Sequence, residues 1–361
     1  MNMAHKVRNV TVRALQLDLA QPLETASASF STWPVILVDL QTDQGVIGRS
    51  FVGCFLPMLV KPLVSLLQDM ALLIEGDPLC PVDLDQKIRK MCRLVGTTGP
   101  LATALAVIEI AAWDALAKSA QVPLARLMGS APRAFPIYKT LTAFDPGRVA
   151  DLAQKAIEAG YGGVKCKIGH PNPANDMAVI KRLRKVCGDD FPIMGDFNQA
   201  LSVPEAIQRI RPLDDLGMVW FEEPTTARDF VGHAQIARSC HTAISIGENW
   251  RSPEEAAESM RIGASSLAMP DLVNIGGVSA WMKTATLAEA AGVPISCHSY
   301  PEVCAHLLPA AASAHWLEHV DIFDVLFTNP VKPANGVWCA SDRPGIGLDW
   351  DEAVVSRSLL A

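Results

Sequence analysis

Apolar and polar positions alternate with period two in VTVRALQLDL (10–19) and again in WPVILVDLQTDQGVIGRSFVG (33–53). Successive side chains of a strand face opposite sides, so both stretches predict strands, the second broken by a turn at DQG. Helical spacing of apolar positions then predicts helices at about 57–75, 84–94 and 101–119. Strands followed by helices describe an α+β unit over residues 1–130.

The pattern changes near residue 131. From there one unit recurs: an amphipathic helix, a glycine, a short apolar strand and a polar residue at the strand's end. It reads EAGYGGVKCKI, DDLGMVWFEEP, MRIGASSLAMPD and EAAGVPISCH, with FPIYKT before it and GDDFPIMGDFN and TAISIGENW between. The glycine suits the left-handed position that ends a helix, and strands apolar on both faces are those covered on both faces. Strand–helix alternation at this period predicts a parallel (β/α) barrel over 131–324. Asp196, Glu222 and Glu248 are spaced 26 residues apart, Asp271 follows after 23 and His298 after another 27. One strand, one helix and two loops take about this length, so each residue holds the same place in successive units. In a barrel that place is the C-terminal rim, where active sites form.

Composition narrows the class. Half of the 361 residues are hydrophobic, the net charge is −7 and the pI is about 5.6. With no basic stripe (KRLRK at 181–185 reads as one solvated helix face), nucleic acid and anionic membrane are not expected partners. Nine cysteines without CxxC or metal-type spacing read as reduced thiols. The N-terminal stretch lacks an apolar core of signal-peptide type, and no run is expected to span a membrane, so a cytoplasmic location is expected.

The rim residues suggest chemistry. Two anions about 4 Å apart repel by roughly 4 kcal/mol at an effective dielectric near 20, so three converging carboxylates require a cation. An all-oxygen set from Asp196, Glu222 and Glu248 suits Mg²⁺, with Mn²⁺ as the other fit, better than zinc. Lys165 and Lys167 share one face of their strand, and burial beside each other and a divalent ion is expected to lower the pKa of the less well paired one, making it a base. His298 follows its strand beside Asp271, which would orient the imidazole. Glu223 is expected to turn away from the metal. Two bases around a metal site fit removal of a proton from the carbon beside a carboxylate, with the enolate stabilised electrostatically.

Taken together, Lys165-x-Lys167, Asp196-x-Asn198-Gln199, Glu222-Glu223-Pro224, Gly247-Glu248-Asn249-Trp250, Met269-Pro270-Asp271, Ile275-Gly276-Gly277-Val278 and His298 resemble the mandelate racemase subgroup of the enolase superfamily. DQGVIGRSF, AAWDAL and AHWLE extend the likeness over nearly the whole chain. The resemblance implies a (β/α)7β TIM-type barrel, an α+β capping domain completed by about 325–361, Mg²⁺ on the three acids, and a homo-oligomer, specifically an octamer. It implies Lys167 as the base for one enantiomer and His298, with Asp271, for the other. Lys165 would neutralise the carboxylate of a small-molecule substrate, Glu318 would hydrogen-bond it as a protonated acid, and Asn198 would touch its hydroxyl or the metal shell. Thr140 stands where the family has a serine, or serves a turn.

Departures concern the substrate. The loop ETASASFSTW (24–33), expected to cover the pocket, is rich in Ser and Thr, and Ser299 replaces an apolar pocket residue, while Phe30, Trp33 and Phe55 offer an aromatic wall. Three functions are therefore weighed: racemisation or epimerisation of a mandelate-like 2-hydroxy acid, dehydration of an aldonic or aldaric acid at the same site, and a non-catalytic metal-binding barrel.

Overall fold

The computed structural model describes residues 5–24 and 29–360. The chain begins with an antiparallel meander of β1 (Val7–Glu24), β2 (Ser29–Thr42) and β3 (Ile47–Gly53). Four helices follow: α1 (Val60–Ile74), α2 (Pro81–Met91), α3 (Pro100–Ser119) and the short α4 (Leu124–Leu127). The expected helices are all present, α2 beginning three residues earlier than expected, at Pro81, whose missing N–H costs nothing in a first turn.

Two helical stretches, Pro57–Ile74 and Pro100–Ser119, do have the length and composition of a membrane span, contrary to the sequence reading. The second is 72% buried within the fold. As α3 it is the core helix of the cap, lying so close to β3 that a Cβ on Gly48 would stand 2.0 Å from the carbonyl oxygen of Ala111. The first buries one stripe, Leu63, Leu67, Met70 and Ile74.

The barrel strands are β4 (Phe135–Thr140), β5 (Gly163–Lys167), β6 (Ile193–Asp196), β7 (Trp220–Glu222), β8 (Ala243–Ile246) and β9 (Leu267–Ala268), then β10 (Leu317–His319). They pair in parallel in the order β10-β4-β5-β6-β7-β8-β9. Residues 294–298 supply the remaining position through single bridges, Ile295 to Ala268 on one side and to Ala314 on the other, which closes the ring. Between the strands lie α5 (Pro146–Glu158), α6 (Pro173–Cys187), α7 (Val203–Ile210), α8 (Phe230–Ala237), α9 (Pro253–Arg261), α10 (Val278–Ala290) and α11 (Pro301–Leu307). Several start on side-chain caps with proline just inside, as at Asp145, Asn172 and Ser252.

After the barrel, β11 (Val337–Trp338) adds to β4, and α12 (Glu352–Ser358) returns to the cap. There Arg13 pairs with Glu352, Trp350 donates to Asp39, and the Leu360 amide donates to Ala14. Cap and barrel also meet through Glu109 of α3. Its buried carboxyl accepts from the first amides of α10, Val278 N at 2.8 Å and Ser279 N at 3.0 Å, and from Trp113 Nε1 at 2.7 Å. A helix start exposes such donors and favours negative charge.

Candidate active site

The barrel register explains how distant residues meet. Lys167 of β5 stands opposite Asp196 at the end of β6, and Asp196 opposite Glu222 at the end of β7. Glu248 lies two residues past β8 and Asp271 three past β9, where it bridges to His298. A cavity of about 430 Å³ opens there, lined by Lys165, Lys167, Asn198, Glu248, Asp271, His298 and Glu318 from the barrel and by Phe30, Trp33 and Phe55 from the cap. The three aromatic rings pack edge-on, Phe30–Trp33 at 5.3 Å and Trp33–Phe55 at 4.8 Å, and form the expected wall. Residues 25–28 of the expected covering loop lie outside the described residues. Glu24 lines the cavity and is held by Arg148 at 2.5 Å.

Asp196, Glu222, Glu248, Asp271 and Glu318 each face a cationic partner. Lys165 is fully buried between Glu222, 2.9 Å away, and Glu318, 2.7 Å away. Lys167 Nζ lies 2.6 Å from Asp196 Oδ2. His298 Nδ1 is 2.8 Å from Asp271, and its Nε2 is 3.1 Å from Glu248. Burial pushes the Glu222 carboxyl up to about 8, with Asp196, Glu248 and Glu318 adding to the effect against the pull of Lys165.

Several expectations change. Both lysine pKa values are raised, where one was expected to fall: burial disfavours their charge, and the facing carboxylates more than compensate, Asp196 for Lys167 and Glu222 for Lys165. For Glu318 the shift runs against the protonated acid expected. Burial works against its charge, yet Lys165 and His298 hold it down to about 2, while Thr140 Oγ1 and the Ser299 amide also donate to it. Glu223 does not line the cavity but is tied to the neighbouring Glu248 through Asn249. It accepts from Asn249 Nδ2 at 2.9 and 3.0 Å and hydrogen-bonds Glu248, and burial drives its pKa well above the ordinary value. Thr140 therefore orients Glu318.

The three expected metal ligands are joined through their cationic partners, and their oxygens do not all lie within 4.8 Å of one another. This is looser than the common point expected from the sequence, because Asp196 turns to Lys167, Glu222 to Lys165 and Glu248 to His298. Among the described residues the grouping that does meet 4.8 Å is Glu302, His319 and Asp324, where His319 bonds Tyr161 and Asp324. The donor chemistry at the rim nonetheless fits a hard divalent cation. It is all oxygen and anionic, and beside Asp196 the amide oxygen of Asn198 is buried without a partner while its Nδ2 donates to Asp196 at 2.9 Å.

Some site residues carried no sequence signal. Thr142, Arg251 and Asn274 also line the cavity, as do Gln199 of the quoted motif and Glu24 of the covering loop, to which no role was assigned. The first three come from loops after barrel strands, where a polar residue looks the same whether it faces solvent or substrate.

Residues 7–129 match the family model of the mandelate racemase / muconate lactonizing enzyme N-terminal domain, and residues 148–354 that of the enolase C-terminal domain-like family. The chain belongs to the mandelate racemase / muconate lactonizing enzyme family of the enolase superfamily. An enolase from Bradyrhizobium, solved with magnesium and mandelic acid, is similar over 100% of both chains, with a TM-score of 0.96 and 36% identity. L-talarate/galactarate dehydratase of Salmonella typhimurium is 34% identical over 75% of this chain and 70% of its own. Its structure with magnesium and L-lyxarohydroxamate superimposes with a TM-score of 0.93 at 28% identity, covering 99% of this chain and 94% of that one.

Proposed function

We propose that this protein is a Mg²⁺-dependent racemase or epimerase of a 2-hydroxy carboxylic acid, moving a proton off and onto C2 with Lys167 and His298 as the two bases. The observation that carries this reading is one cavity lined by both groups, from the second and seventh strand positions, each backed by its own carboxylate. The magnesium and mandelic acid of the Bradyrhizobium enolase support it. Asp196, Glu222 and Glu248 would hold the ion, with the Asn198 amide oxygen beside them. Bound there, Mg²⁺ would supply Lewis-acid stabilisation to a substrate carboxylate that is gaining enolate charge. Lys165 adds a fixed positive charge next to that carboxylate. Lys167 becomes a base when Asp196, the strongest charge keeping its proton on, is committed elsewhere. Asp271 holds His298 at Nδ1, which leaves Nε2 on the side of Glu248 and Glu318 to take or return the proton.

The second reading, a dehydratase of a sugar acid, uses the same enolate. Protonated His298 would give its proton to the β-hydroxyl as the C3–O bond breaks, releasing water and an enol that becomes a 2-keto-3-deoxy acid. The polar lining by Thr142, Gln199 and Asn274 favours it, as does the activity named for the Salmonella relative. Incubation with 2-hydroxy and sugar acids in D₂O with Mg²⁺ separates the two. Deuterium at C2 with inversion and no keto acid supports the racemase; a 2-keto-3-deoxy product replaces it with the dehydratase; neither result with any acid refutes both.

A further inference from the structure

Among the described residues, the charged groups lining the cavity are paired with one exception. Lys165 has Glu222 and Glu318, Lys167 has Asp196, His298 has Asp271 and Glu248, and Glu24 has Arg148. Arg251 lines the same cavity, yet among the described residues its guanidinium has no carboxylate within the 4.0 Å of an ion pair. Its bonds go to neutral amide oxygens: Nη1 donates to Asn274 Oδ1, and Nη2 to Asn249 Oδ1 at 3.4 Å. The carboxylate one turn ahead, Glu255, is taken by the Arg251 main-chain amide at 2.8 Å and by Arg228 at 3.4 Å.

The guanidinium is also held in place. Asn274 is fixed by its own amide on Asp271 at 2.8 Å and by its Nδ2 on the Glu248 carbonyl at 2.9 Å. Asn249 is fixed on Glu223 and Glu248. The two amides that orient the arginine are therefore wired to the proposed catalytic carboxylates. A guanidinium presents a planar fork matched to the two oxygens of a carboxylate. Here the fork is oriented, half-buried and without a counter-charge, in a cavity whose other cations are already matched.

We propose that Arg251 is a specificity residue that binds a second acidic group at the end of the substrate remote from C2, so that the substrate class is a 2-hydroxy diacid. This deepens the enolate reading above, on which it rests, and holds for either outcome of the reaction. Proton loss would occur at C2, beside the carboxylate that faces Lys165, and the far carboxylate would set reach and register.

The test uses pairs of 2-hydroxy acids of four to six carbons that differ only in the terminal group, carboxylate or hydroxymethyl. Turnover is followed with the Mg²⁺-loaded protein as C2 deuterium incorporation or keto-acid release, and binding by titration calorimetry, which needs no turnover. The wild type is expected to favour the diacid, and Arg251→Leu to lower the diacid-to-monoacid ratio of kcat/KM on the order of 10- to 100-fold, chiefly through KM. Arg251→Lys, which keeps the charge without the fork, falls between the two. A wild type that binds both members equally, or a ratio unchanged in Arg251→Leu, overturns the proposal. If the diacid is preferred in calorimetry but no acid undergoes exchange or elimination, the assignment of Arg251 stands and the catalytic reading fails.

Discussion

Asn249 shows how much one side chain can carry. Its single Nδ2 serves both oxygens of Glu223 and one of Glu248, bridging two adjacent buried acids. Groups behind a metal ligand fix its orientation, and their loss commonly costs about 10- to 100-fold in metal affinity. Asn249→Ala is therefore expected to weaken Mg²⁺ binding by about that factor in titration calorimetry; unchanged affinity would remove Glu248 from the ligand set. Such a role was not legible beforehand: Asn249 stands in the motif Gly247-Glu248-Asn249-Trp250, but the motif does not say which acids its side chain bridges. The protonation states were hidden for a related reason: Lys165 and Lys167 looked like a buried, mutually repelling pair until the facing acids were placed.

At the scale of elements, periodicity carried the site. A fixed spacing put Asp196 and Glu222 at strand ends in register with Lys167, because each unit spends the same number of residues on a strand, a helix and its loops. The approximation loosened where ladders shorten, with β9 reduced to two residues and Asp271 beyond it. The loops themselves were not legible. Asn198, Gln199, Glu223, Ser299 and Tyr300 all have positive φ, between 37° and 64°, conformations that non-glycine residues adopt only when their surroundings impose them. The joint between α3 and α10 makes a sharper prediction. Gly277 has φ of +90°, and a Cβ there would stand 2.4 Å from Glu109 Oε2. Gly277→Ala should cost about 2 kcal/mol or more through backbone strain and displaced hydrogen bonds, seen as a lower urea midpoint. An unchanged midpoint would mean that Glu109 does not clamp the cap to the barrel.

For the whole molecule, stability at acid pH depends in part on His306, buried where α11 meets α4 and the C-terminal segment. Its Nδ1 accepts from the Ala125 amide and its Nε2 donates to the Ile346 carbonyl, which satisfies the neutral ring alone. Burial lowers its pKa to about 4, with Ile346 and Asp342 pulling the other way. A depressed histidine pKa means that between about 6.5 and 4 the unfolded chain binds a proton the folded chain refuses. Stability should thus fall with pH across that window by roughly 3 kcal/mol from this group, and be unaffected by it above 6.5. In His306→Gln the acid limb of the melting-temperature curve should flatten; an identical limb would show that this ring does not titrate with unfolding.

Lys167 and His298 are proposed to act at C2 from opposite faces, and exchange in D₂O with separated enantiomers distinguishes their roles. With a 2-hydroxy acid that the Mg²⁺-loaded wild type accepts, Lys167→Met should abolish deuterium uptake from one enantiomer and retain it from the other, with His298→Asn giving the mirror result. Loss of exchange from both enantiomers in either variant, with fold and metal binding intact, would contradict the two-base account.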